Sequence, residues 1–167
     1  TASDFIMDTI VTQTLYGNQA EQTTQEVAVA LSAFEEKASA YREGSDLARV
    51  AAAAGSHPVV VDERVFSVVQ QAVEAGKTTE GLFDITLRPL TELWNIDAGE
   101  EQFVLPAEKD IQNVLELVDY TKIALDPNQN SLYLPQKGME LDLGGIAKGE
   151  AANLARAICD ENGITSG

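Results

Sequence analysis

Leu141-Asp142-Leu143-Gly144-Gly145-Ile146-Ala147-Lys148-Gly149 joins two periodicities within nine residues. Apolar side chains at 141 and 143 flank Asp142, the two-residue alternation of a half-buried strand, and predict one over residues 140–143. The glycine pair then permits a sharp turn. Beyond it Ala147, Ala151, Leu154 and Ile158 recur at helical spacing, with Gly163 as the stop. Upstream, Ile123 and Leu125, the turn formers Asp126-Pro127-Asn128-Gln129-Asn130, and Leu132 and Leu134 predict a β-hairpin. A hairpin requires antiparallel pairing, so interleaved helices and strands here predict α+β rather than α/β.

Working outward, residues 4–16 are dense in β-branched side chains and predict one strand. Asn18, with Glu21 three residues later, resembles a capping box and opens a helix to about Tyr41, its face formed by Val27, Leu31, Phe34, Ala38 and Tyr41. A short helix is predicted from Asp46 to Ala54 and an apolar run at Val59-Val60-Val61. Asp62 caps a further helix with Val65, Val68, Val69 and Ala72 inward and Gly76 at its close. Residues 79–90 fit neither period. Pro106 in a first turn, followed by Glu108 and Asp110, starts a helix with Ile111, Val114, Leu115 and Val118 inward.

The 167 residues carry 27 acidic and 11 basic side chains, a formal charge of −16, with 44% hydrophobic residues. That composition supports a folded core rather than a disordered acidic tail. The charge excludes nucleic acid as a partner, whose phosphates it repels, and argues against electrostatic attachment to anionic lipid. No apolar run reaches the roughly 20 residues of a membrane span. One cysteine, Cys159, and one histidine, His57, rule out an internal disulfide and a His/Cys zinc site. His57 lies beside Pro58 with no nucleophile elbow in the chain, so a Ser–His–Asp triad is not supported.

Three constellations carry chemistry. At Asp142 to Lys148, a strand running into two glycines at a helix N-terminus forms a cradle for an anion, with Lys148 able to reach a phosphate and Asp142 able to accept from a ligand. The competing reading is a tight turn in which Asp142 caps the helix. The segment is neither a P-loop nor a GxGxxG fingerprint. In Gly81-Leu82-Phe83-Asp84-Ile85-Thr86, Asp84 sits between apolar neighbours with Thr86 on the same strand face; the alternative is a carboxylate capping a turn before Pro89. Tyr41 at a helix end, and the single Trp94, serve either packing or ligand stacking.

Taken together these segments resemble the ApbE family, the FAD:protein FMN transferases. Phe5-Ile6-Met7-Asp8-Thr9 resembles its Met-x-Thr opening strand, and Ala40-Tyr41-Arg42 with Ser45-Asp46-Leu47 its Tyr-bearing helix end and S-x-L segment. Gly81 to Thr86, with Pro89-Leu90 and Leu93-Trp94, resembles G-x-F-D-I-T-x-x-P-L…L-W, and Asp142 to Gly149 resembles D-L-G-G-I-A-K-G. The likeness lapses at Glu150 and Asn153, where the family often has Tyr and Asp.

The resemblance implies an α+β fold, with a mixed or antiparallel sheet packed against helices. Residues 1–167 would then be the N-terminal portion of a single domain, truncated relative to the full family fold. It implies a bacterial, Mg2+-dependent enzyme that moves FMN from FAD to a Thr or Ser hydroxyl of an acceptor flavoprotein and releases AMP. Met7, Tyr41, Leu82, Phe83, Asp84, Asp142 and Lys148 would line the FAD site, and the Gly145 carbonyl would contribute to the magnesium site. The remaining metal ligands are expected beyond Gly167, and no residue is assigned as catalytic base. An extracytoplasmic location is expected, with a lipid anchor upstream of Thr1 as the sole tie to the membrane. The alternatives are a non-catalytic FAD-binding protein and an FAD pyrophosphatase giving FMN and AMP.

Overall fold

A computed structural model describes residues 1–95 and 104–167. Strands β1 (Ala2–Ile6) and β2 (Thr9–Gln13) form one antiparallel pair. Helices α1 (Ala20–Ala38) and α2 (Asp46–Ala53) follow, then β3 (Val59–Val60) and α3 (Glu63–Thr78). A 3-10 turn at Ile85–Leu87 leads into α4 (Arg88–Trp94). After α5 (Glu108–Leu115) and a second 3-10 turn at Tyr120–Lys122 come β4 (Ala124–Asp126), β5 (Ser131–Tyr133) and α6 (Ala147–Glu161). Among the described residues the second sheet has the order β3-β5-β4, antiparallel throughout. The α+β expectation and the 123–134 hairpin hold.

Helix α3 forms as its sequence dictates. The Asp62 carboxylate accepts from the Arg64 N–H at 3.0 Å, and Val65, Val68, Val69 and Ala72 are each at most 1% exposed. They pack with Leu47, Val50, Leu132, Leu134, Met139, Leu141 and Leu143 in the main core. Each fully buried side chain of this size contributes about 1.5–3 kcal/mol. A second, smaller core joins Ile6, Val27 and Leu31 to Ala151 of α6. Asn162, the residue capping α6, donates to Glu26 and Thr23 of α1 and ties the two helices together at that end.

Several sequence expectations are corrected. Residues 4–16 are a hairpin, not one strand: Met7 and Asp8 form its turn, both at φ 56°. Two successive left-handed residues match the twist of a two-residue hairpin, but the turn lacks the usual Asn-Gly signal. Helix α1 has Gln19, not Asn18, at its N-cap without a side-chain bond, and ends at Ala38 before Tyr41. Helix α5 has no buried residue; Leu115 is exposed and Ile111, Val114 and Val118 are only half-buried. Residues 140–143 alternate in burial as predicted yet form no strand. Their Asp142 N–H bonds the Ile85 carbonyl at 2.8 Å, and Ile85 lies in a 3-10 turn that offers no ladder.

Gly76 does not close α3. It lies inside the helix, and a Cβ there would stand 2.8 Å from Tyr120 Cδ2. Alanine at a helical position gains up to about 1 kcal/mol over glycine in propensity. Overpacking against an anchored ring costs typically 1–3 kcal/mol. Gly76→Ala is therefore expected to destabilise the protein by about 1–2 kcal/mol in urea denaturation; a gain in stability would show that Tyr120 yields freely.

The Asp62 carboxyl is held below its ordinary value, first by the hydrogen bond from Lys37 (2.5 Å) and against the opposing effect of burial. Its stabilising contribution is therefore fully present above about pH 4 and is lost as pH falls through the lowered folded-state value. The pair is half exposed, so screening leaves it under about 1 kcal/mol, while the cap supplies about 1 kcal/mol. Asp62→Ala should lose about 1–2 kcal/mol at pH 7, and the gap to wild type should narrow toward pH 3. A gap that persists undiminished at pH 3 would assign the effect to the helix alone.

Candidate functional site

The turn at Met7-Asp8, the end of α1 and the start of α6 converge on one pocket of about 200 Å³. Met7, Tyr41, Asp142 and Lys148 line it, together with Asp8, Glu35, Ser39, Gly144 and Ala147. Met7 is a bulky residue in a left-handed conformation, which costs about 1–2 kcal/mol. The hairpin compels that conformation and so directs Met7 toward the pocket. The volume is below the usual 300–1,000 Å³ of a small-molecule site and suits a single ring system, with the rest of a larger ligand lying outside.

Tyr41 is presented by a loop that two serines hold. Ser39 Oγ accepts from the N–H groups of Tyr41 (3.1 Å) and Arg42 (3.3 Å). Ser45, 3% exposed, donates to the Ser39 carbonyl at 2.7 Å and accepts from Ala48 N–H as the N-cap of α2. Over the ring lies Arg88, whose guanidinium carbon is 4.0 Å from the Tyr41 centroid. Arg88 bonds Glu92 at 2.5 Å and approaches Glu140 at 3.9 Å. Burial first, and the Glu92 charge second, push the Glu140 carboxyl up from its ordinary value, while Arg88 pulls it down. Sequence reasoning missed Ser39 and Arg88, and treated Ser45 only as part of a motif. The short Ser39-to-Ser45 spacing between two helices was the available signal; for Arg88 there was none.

At the other wall, Asp142 Oδ1 accepts from Gly144 N–H at 2.7 Å. Asp142 thus closes the turn before α6 rather than capping the helix, whose N-cap residue Ile146 has no side-chain bond. Gly144, Ala147 and Lys148 bring the helix N-terminus to the pocket, where its dipole favours an anion. Three carboxylates (Asp8, Glu35, Asp142) and one ammonium (Lys148) line the cavity. Its interior therefore suits an uncharged, hydrogen-bonding ring, and an anionic group fits best at the Gly144–Lys148 edge.

The other expected site residues stand apart from this lining. Leu82 is 93% exposed in a turn formed by Glu80 (φ 55°) and Gly81 (φ 86°). Phe83 packs against the main core, its ring 3.0 Å from where a Gly145 Cβ would stand, so glycine at 145 allows this close approach. Asp84 is not on a strand with Thr86. Its Oδ1 accepts from Thr86 N–H (2.7 Å) and Oγ1 (2.6 Å), and its Oδ2 accepts from Tyr120 N–H (2.9 Å). Thr86 Oγ1 in turn accepts from Asp119 N–H at 2.8 Å. The turn-capping reading of Asp84 is the one these bonds express.

Glu150 and Asn153 also have structural partners: Glu150 pairs with Arg64 of α3 at 2.6 Å and accepts from Asn153 at 3.3 Å. For magnesium the fit is incomplete. The exposed Gly145 offers one carbonyl, and among the described residues no group of three or more His, Cys, Asp or Glu side chains is arranged to hold a metal ion, whereas an octahedral ion takes six oxygens. No helix among the described residues is long and apolar enough to cross a membrane.

Fold and pocket together define an α+β protein with a pocket beside a helix N-terminus. A model of the ApbE family matches residues 7–167, and the chain belongs to that family. It is 37% identical over 123 residues to the FAD:protein FMN transferase of Klebsiella pneumoniae, covering 74% of this chain and 38% of the relative. It is 34% identical over 134 residues to the FAD:protein FMN transferase of Treponema pallidum, covering 77% and 36%. The crystal structure of an ApbE protein from Thermotoga maritima superposes with a TM-score of 0.85 at 26% identity, covering 94% of this chain and 51% of that one. The flavin transferase ApbE of Vibrio cholerae shares the fold, with a TM-score of 0.84 at 23% identity over 98% of this chain and 53% of that one. The chain thus spans under two fifths of the length of the two curated relatives.

Removing Asp84 leaves the buried Thr86 N–H and hydroxyl and the half-buried Tyr120 N–H without their acceptor, each N–H costing about 1–3 kcal/mol. Asp84→Ala should lose about 3 kcal/mol or more in urea denaturation, against about 1 kcal/mol for Asp142→Ala, which breaks one bond to an exposed glycine. Equal losses in the two variants would remove the structural assignment of Asp84.

Proposed function

We propose that this chain supplies the FAD-binding portion of an FAD:protein FMN transferase. The observation that carries the reading is the meeting of Met7, Tyr41, Asp142 and Lys148, distant in sequence, around one pocket beside a helix N-terminus. One ring system of FAD stacks against Tyr41, and Met7 packs alongside it. The pyrophosphate lies toward the start of α6, where the helix dipole and the Lys148 ammonium oppose its charge. Asp142 accepts a hydrogen bond from the ligand through the oxygen not bonded to Gly144.

In the reaction, a Thr or Ser hydroxyl oxygen of an acceptor flavoprotein attacks the FMN-side phosphorus. A new P–O bond forms, the bond to the AMP phosphate breaks, and the hydroxyl proton is lost as AMP leaves. This chain's part is to hold the pyrophosphate and exclude other orientations. Dependence on Mg2+ belongs to the same proposal, resting on the family resemblance, with the Gly145 carbonyl as this chain's contribution. So does an extracytoplasmic location with a lipid anchor.

The test combines the protein with FAD, Mg2+ and an acceptor domain carrying a candidate Thr, and follows acceptor mass and AMP release. The acceptor should gain FMN with one AMP per transfer, and EDTA should abolish both. Lys148→Ala should raise KM for FAD about tenfold with a smaller change in kcat, and Asp142→Ala should lower kcat/KM by roughly 10–100-fold. AMP and free FMN without acceptor labelling would establish the pyrophosphatase instead. FAD binding with no release of AMP would establish a flavin-binding protein.

A further inference from the structure

Arg88 has no role in the family motif as it is read from the sequence, and its setting is unusual. It is 8% exposed at the start of α4, and its Nε is buried without a hydrogen-bond partner among the described residues. A buried guanidinium is costly unless its charge and donors are matched. Glu92 takes one donor at 2.5 Å, and Glu140, at 3.9 Å, lies beyond hydrogen-bond reach of Nε. The remaining interaction is with the Tyr41 ring, 4.0 Å away. Tyr41 lines the pocket and is 58% exposed, whereas Arg88 does not line it. The ring therefore touches a buried cation and belongs to a residue that lines the cavity.

We propose that Arg88 is a positioning residue that holds Tyr41 and turns its ring into a fixed stacking wall for a planar ring of the ligand. This rests on the reading that the pocket takes FAD. The guanidinium attracts the π cloud of the ring and restrains its plane. A ring ordered before the ligand arrives loses less entropy on binding. Arginine suits the task and lysine does not, because only the planar guanidinium stacks flat while still bonding Glu92.

The experiment measures calorimetric affinities of the protein for FAD, riboflavin and ADP in wild type, Arg88→Met, Arg88→Lys, Tyr41→Ala and the Arg88→Met/Tyr41→Ala double variant. Arg88→Met is expected to weaken FAD about tenfold. The loss should fall on riboflavin or on ADP but not on both, and on the same one for Arg88→Met and Tyr41→Ala. The double variant should bind no worse than Tyr41→Ala alone, since Arg88 acts only through the ring. Arg88→Lys keeps the charge, serves as the test should the Met variant misfold, and should stay near the weakened value.

Wild-type affinity for FAD in Arg88→Met or Arg88→Lys overturns the proposal. So do losses that add in the double variant or spread equally over both halves of FAD, which mark a general structural role. Failure of the wild type to bind FAD, riboflavin or ADP overturns the flavin reading itself and this inference with it.

Discussion

The Asp84 carboxylate is the constraint on which the site depends. A half-buried carboxylate has to be met by donors, and here they come from two segments more than thirty residues apart: Thr86 beside it and Tyr120 across it. Thr86 doubles the link by accepting from Asp119. The same short segment bonds Asp142 N–H through the Ile85 carbonyl. Phe83 is thereby set against Gly145, Arg88 is carried to the ring of Tyr41, and Tyr120 is laid over Gly76. One set of hydrogen bonds thus places Phe83, Arg88 and Tyr120 around the segments that form the pocket.

The pocket's electrostatics are local rather than global. A chain of formal charge −16 repels anions at long range, yet screening confines that field to about 8–10 Å at physiological salt. Within that distance the α6 N-terminus, Lys148 and Asp142 meet at one wall, and Asp8 and Glu35 complete the lining. This asymmetry orients a ligand that is neutral at one end and anionic in the middle. The strained Met7 turn and the two serines holding the Tyr41 loop spend conformational freedom on the same end, fixing the walls before a ligand arrives.

The parts legible in the sequence were those governed by near neighbours. Asp62 as a cap, the valine face of α3, the 123–134 hairpin and the α6 face all follow from residues within a few positions of one another. The failures have one cause. Residues 140–143 have a strand's alternation but no partner edge, and Gly76 looks like a stop signal because Tyr120, which requires its missing Cβ, is 44 residues away. The Met7-Asp8 turn was hidden because Met7 is not a customary left-handed residue and Asp8 is not followed by glycine, and hairpin closure overrides the preference of Met7.

By itself the sequence determined the α+β architecture, the glycine-pair turn into a helix and, through its resemblance, which residues to inspect. The tertiary structure alone decided that Met7, Tyr41, Asp142 and Lys148 share a pocket while Leu82 and Asp84 do not line it. It alone placed Arg88 over the Tyr41 ring. The physical reason is range: helix and strand signals are written in spacings of two to four residues. Convergence of distant segments depends on which carboxylate finds its donors and which ring fills which gap, and these are settled only when the chain is packed.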